Sequence, residues 1–101
     1  MVKCVLIGES LGDIQVIESP LQKDIYTLLK GPGTFMGQYD HVDVVIMKCR
    51  ESIFELELNQ NKLPEPYQNE QVFGPILLVR MNENSEPEDF TLQEFLTLYR
   101  L

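Results

Sequence analysis

Three runs of strand length, residues 2–7, 42–49 and 72–79, are apolar at almost every position, and such runs read as strands in the interior of a sheet rather than as half-wet ones. Only Lys3 interrupts the first, which gives it a central place. In the second, Val44-Val45-Ile46-Met47 is apolar on both faces. The third contains Pro75, which has no N–H to give a ladder, so the start of that strand is expected at an edge or a bulge. A chain of 101 residues that must enclose these runs has room for one domain, over residues 1–101.

The segments between the runs supply the rest. Residues 9–13 turn the chain, and Ile14, Val16 and Ile17 read as a second strand paired with the first in a hairpin. Ser19, Pro20 and Gln22 form a capping-box signal with proline at the first helical position, and Leu21, Ile25, Leu28 and Leu29 then recur on one helical stripe. Gly31 is placed to end that helix in the left-handed conformation, with Pro32 barring its continuation. Residues 31–41 read as a glycine-punctuated loop carrying Phe35, Met36 and Tyr39, and residues 48–52 as a turn. Phe54, Leu56 and Leu58 alternate with Glu55 and Glu57 as a half-buried strand in a hairpin. Residues 59–71 are a long polar connection with Pro64 and Pro66, a length at which function becomes more common. Residues 82–89 are an acidic loop, and Thr91-Leu92-Gln93-Glu94 is a second capping box opening a helix with Leu92, Phe95, Leu96 and Tyr99. The order is β-β-α-β-β-β-α. It predicts an α+β fold, a mostly antiparallel five-stranded sheet with two helices packed on one face.

Sixteen acids against eight bases give a net charge of −8, and the bases are scattered. Direct nucleic-acid binding and attachment to an anionic membrane are both disfavoured, because each needs clustered positive charge. Cys4 and Cys49 each lie in an apolar run, as buried thiols do, and no disulfide framework is signalled. The N-terminal apolar run is too short for a secretion signal or a membrane span, so the expected location is intracellular, cytoplasm or nucleus.

No motif carries chemistry. Gly8-Glu9-Ser10-Leu11-Gly12 matches a nucleophile elbow, but the next residues continue as a strand instead of the helix that an elbow needs. Gly31-Pro32-Gly33 follows a helix, whereas phosphate-cradling loops precede one. The acids Glu83, Glu86, Glu88 and Asp89 lack the glycine bend of a calcium loop. His41 between Asp40 and Asp43 is a thin basis for a metal site. No catalytic residue, metal ligand or cofactor is therefore expected. The aromatic and polar residues of the two long connections, Phe35, Tyr39, His41, Asn61 and Tyr67, are the candidate binding residues.

One resemblance adds to this. A first strand, a helix ending in Leu28-Leu29-Lys30-Gly31, the run 42–47, Asn61-Lys62-Leu63-Pro64, Gly74-Pro75-Ile76-Leu77-Leu78-Val79 and the closing Phe90-Thr91-Leu92-Gln93-Glu94 follow one another. That arrangement resembles a family of small single-domain proteins of unassigned function, met in phages, mobile bacterial elements and large DNA viruses. The similarity spans most of the chain through short structural motifs. It departs after Leu63-Pro64, where an Asn-Arg pair is expected and Glu65-Pro66-Tyr67 stands. The resemblance implies one compact domain and a viral accessory role, and supplies no catalytic residue. The expected function is a non-enzymatic binding or regulatory module, a viral or phage accessory protein acting on a host protein. The alternatives are a small-molecule binder (nucleotide or metal) or small enzyme using His41 with Asp40 or Asp43, and an acidic DNA mimic that inhibits a DNA-binding protein. The expected partner is an unidentified protein, with self-association through a strand edge also open.

Overall fold

Residues 1–21, 23–50 and 56–100 are described by the computed structural model. The first apolar run is β1 (Val2–Ile7), and it pairs antiparallel along its whole length with β2 (Ile14–Ser19). The run at 42–49 is β4 (Val44–Cys49), and the third run is β5 (Ile76–Met81). With β3 (Gly33–Tyr39) they form an antiparallel sheet in the order β2-β1-β5-β4-β3, and a two-residue β6 (Pro87–Glu88) returns onto β5. The two helices are α1 (Ile25–Leu29) and α2 (Leu92–Thr97), the latter continued by a 3-10 turn at Leu98–Arg100. The fold is α+β, as the sequence predicts.

Because strand side chains alternate, the doubly apolar strands present one set of residues to each side of the sheet. Val5, Ile7, Val44, Ile46, Ile76 and Leu78 pack with Phe90, Phe95 and Leu98 under α2. Cys4, Leu77, Val79 and Cys49 pack with Leu21 and Leu29 under α1. The helices therefore lie on opposite faces, which corrects the expectation that both cover one. The doubly apolar strands themselves are the reason, since each face needs a cover.

The first helix starts at Ile25, not at Pro20, because β2 runs on to Ser19 in register with Val2. The Ser19 hydroxyl, expected to cap the helix, instead accepts from Leu21 N–H at 2.9 Å and donates to Asp24 at 2.8 Å, holding a turn in which Leu21 is left-handed. Gln22 lies outside the described residues. Lys30, not Gly31, takes the left-handed position that ends α1, at φ 61°.

The expected loop at 31–41 is largely the strand β3. Its glycines serve close approach, not turning. A Cβ on Gly33 would come within 2.9 Å of Ile25, and one on Gly37 within 2.5 Å of the Tyr67 ring. His41 and Asp43 do not begin a strand: Asp40–Val42 is a 3-10 turn, and Asp43 is left-handed at φ 57°.

Pro75 is at neither an edge nor a bulge. It directly precedes the central strand β5, whose pairing starts at Ile76 with Ile7 on one side and Lys48 on the other. The expected strand through 54–58 and the turn at 48–52 fall partly on residues 51–55, outside the described residues. The described end of that strand bridges Leu58 to Phe73, not to β4.

The second capping box forms as expected. Glu94 N–H donates to Thr91 Oγ1 and Thr91 N–H to Glu94 Oε1, both at 3.2 Å. Glu94 also takes Arg80 at 2.6 Å, and Arg80 reaches Val42 and Asp89 carbonyls and lies over the Phe90 ring, tying α2 to the sheet. Among the described residues, no helix is long and apolar enough to cross a membrane.

Candidate functional site

The two faces are not covered equally. A strand of six residues spans roughly 20 Å, while a helix is about 10 Å wide and α1 has a single turn and a half. It covers the end of its face near Gly33 and leaves the other end open. There β3 supplies Phe35, β4 supplies Val45 and Met47, and β5 supplies Val79 and Met81. Leu21 and Ile25 close one side, and Ser85 of the β5–β6 turn with Pro87 of β6 closes another. The result is a pit of about 130 Å3, apolar but for Ser85. It opens into a wider cavity of about 680 Å3 edged by Gln38, Asp43, Asn82 and Glu83, which shares Phe35, Val45, Met81 and Ser85 with the pit.

A bulge puts Phe35 there. Strict alternation would place Phe35, Gly37 and Tyr39 on one face, but the β3–β4 register shifts between Phe35 and Gly37. Phe35 is consequently opposite Met47 on the α1 face and 64% exposed. Tyr39 is carried to the α2 face and buried. Its hydroxyl donates to the Pro64 carbonyl at 2.7 Å, and burial holds that phenol well above its usual range, with Tyr99 and Tyr67 adding to the effect.

The other expected binding residues are engaged elsewhere. Tyr67 stacks edge-on against Tyr39 with ring centroids 5.4 Å apart. Its hydroxyl accepts from Gln38 N–H at 3.0 Å and donates to Gln38 C=O at 3.1 Å, so it occupies the outward backbone groups of the edge strand β3. Asn61 clamps the β1–β2 turn: its amide donates to Gly8 and Ser10 carbonyls, each at 2.9 Å, and accepts from Gly12 N–H at 2.8 Å. Asn59 beside it is buried and donates to the Ile7 and Gly74 carbonyls. Residues 59–71 are thus a strap sewn to the sheet, with Leu63 in the core and Val72, just after the strap, beside it there. His41 is exposed in its 3-10 turn, edge-on to Tyr39 at 6.5 Å. The structure unites Tyr39, His41 and Tyr67 in one aromatic row and sets Asn61 apart from it, while Phe35 and Tyr67 both line a cavity of about 520 Å3 along β3, with Gln38 and Asp40.

Among the described residues, no group of three or more His, Cys, Asp or Glu side chains is placed to hold a metal ion. The Cys4 thiol is pushed up to about 11 by burial, which leaves it a packing group, not a nucleophile.

Sequence reading missed Val45 and Met47, which it assigned to the interior and which are only partly buried, and Met81, which lies beyond its run 72–79; Val79, assigned to the interior, is buried there and also lines the pit. A signal for them exists. Strands apolar on both faces require two layers of cover, and the segment from Ser19 to Gly31 is too short to provide a full layer once β2 has taken its share.

Residues 3–98 match the family described as Family of unknown function (DUF5880). No curated protein and no solved structure matches the chain.

Proposed function

The chain belongs to that family of unknown function, and from this premise we propose that it is a non-enzymatic binding module that docks a protein on the sheet face left open beside α1. The wider reading is an accessory protein of viral or phage kind acting inside the cell on a host protein. One observation carries the docking reading: a large exposed aromatic, Phe35, stands over an apolar pit on the described surface, while Tyr39, Tyr67 and Asn61 are occupied by bonds within the fold. Solvent-exposed strand positions are ordinarily polar, and a contiguous apolar patch with a polar rim marks an interaction surface.

A photoreactive phenylalanine analogue placed at Phe35, and separately at Leu96 on the α2 face, tests the reading in cells that naturally carry the protein. The expected result is one protein crosslinked from position 35, absent from position 96, and lost when Met81→Glu is added to a chain that still unfolds cooperatively. The opposing result is a nucleotide or divalent cation that stabilises the chain, by about 2.7 kcal/mol at 100-fold its dissociation constant, with the effect abolished by His41→Ala. That outcome would replace docking with small-molecule binding.

A further inference from the structure

We infer that the segment docked on this face is cationic and inserts a single apolar side chain into the pit. The inference rests on the docking reading above and adds the chemistry of the partner. The pit holds about 130 Å3, close to the roughly 150 Å3 cavity that accommodates benzene, so it admits one aliphatic or aromatic side chain and no more. Met47 and Met81 line it, and unbranched thioether side chains repack around anchors of different shape.

Charge settles what surrounds the anchor. The wider opening carries Asp43 and Glu83, and among the described residues no Lys, Arg or His lines either cavity. Neither of these carboxylates has an ion-pair or hydrogen-bond partner among the described residues. Lysine or arginine on either side of the anchor would meet them. The same charge disfavours other occupants. A second copy brings another −8, and an anionic lipid surface is repelled. Strand addition to β3 is obstructed at Gln38, whose outward N–H and C=O the Tyr67 hydroxyl already holds.

The test uses the full chain, 15N-labelled, at low ionic strength. It is titrated with three capped five-residue peptides: leucine between two pairs of lysines, leucine between two pairs of glutamates, and alanine between two pairs of lysines. The lysine–leucine peptide is expected to move the amide resonances of Phe35, Val45, Asp43, Met81 and Glu83 and to bind at least tenfold more tightly than either comparator. Its affinity should fall several-fold on raising salt from low to physiological ionic strength. Asp43→Asn with Glu83→Gln should erase the preference for lysine, and Asp43→Asn keeps a residue that tolerates the left-handed backbone. Equal binding of the glutamate–leucine peptide at the same amides would overturn the cationic partner while leaving docking intact. Equal binding of the alanine peptide would overturn the anchor. Absence of any groove shift with millimolar lysine–leucine peptide would overturn the inference, and the position-35 crosslink would then decide separately whether a protein docks there.

Discussion

Replacing Asn61 tests how the long polar connection is held. Its carboxamide makes three bonds to the turn that joins β1 and β2, two as donor to the Gly8 and Ser10 carbonyls and one as acceptor from Gly12 N–H. A hydrogen bond contributes about 1 kcal/mol net, less where water can replace it. The Ser10 and Gly12 bonds are exposed and the Gly8 bond partly buried, so Asn61→Ala should cost about 2 kcal/mol in urea unfolding followed by far-UV circular dichroism. For a domain near 100 residues that corresponds to roughly 10 °C in Tm. Asn61→Asp is the sharper variant. It keeps the acceptor for Gly12 but turns the donor into an oxygen facing two carbonyl oxygens 2.9 Å away. At neutral pH it should be less stable than Asn61→Ala. Those carbonyls also raise the pKa of the introduced carboxyl in the folded state. Its deficit is therefore full at neutral pH and shrinks as pH falls through that raised pKa, where the protonated group can donate. An Asn61→Ala cost under about 0.5 kcal/mol, or an Asn61→Asp variant at least as stable as the alanine at pH 7, would refute the clamp.

Gly37→Ala should displace the Tyr67 ring, since a Cβ there meets it at 2.5 Å, at a cost of about 1–3 kcal/mol; amide exchange at Gln38 should quicken in the same variant. Tyr39 and Tyr99 have phenols raised by burial, so their contribution is complete below the ordinary tyrosine pKa of about 10 and lost as pH rises beyond it. Absorbance at 295 nm should show a late ionisation that coincides with loss of circular dichroism. Glu94 is lowered chiefly by its bond from Arg80, so its contribution is present above the ordinary carboxylate range and lost as pH falls through the lowered value. Glu94→Gln should flatten the acid limb of a stability–pH curve, by under about 1 kcal/mol because the pair is part-exposed.

Elements whose signal is local were legible in the sequence. β1 has its expected bounds, β4 begins two residues inside its expected run, and the Thr91–Glu94 capping box is present in full. Elements decided by distant partners were not. Ser19 carries a helix-start signal, yet pairing with Val2 makes it the end of a strand. Gly33 and Gly37 carry a loop signal, yet α1 and Tyr67 press against them and the chain between is β3. The candidate site follows the same division. Phe35 was legible as a candidate binding residue alongside Tyr39, but that one is exposed and the other buried, on opposite faces, depends on a bulge that periodicity does not encode.

That bulge links the core to the surface. Tyr39 and Phe35 are four residues apart in one strand, and an unbroken ladder would send both to the same side. With Met36 inserted, Tyr39 completes the core beneath α2 and Phe35 is released to the side that α1 covers incompletely. Val79 is buried beneath α1, but Val45, Met47 and Met81 are only partly buried, and polar residues at those three positions would resist aggregation better. Keeping these three apolar beside an exposed phenylalanine costs solubility without adding to the core under α2. The docking proposed for this face would account for that cost, since a partner seated there would cover all three.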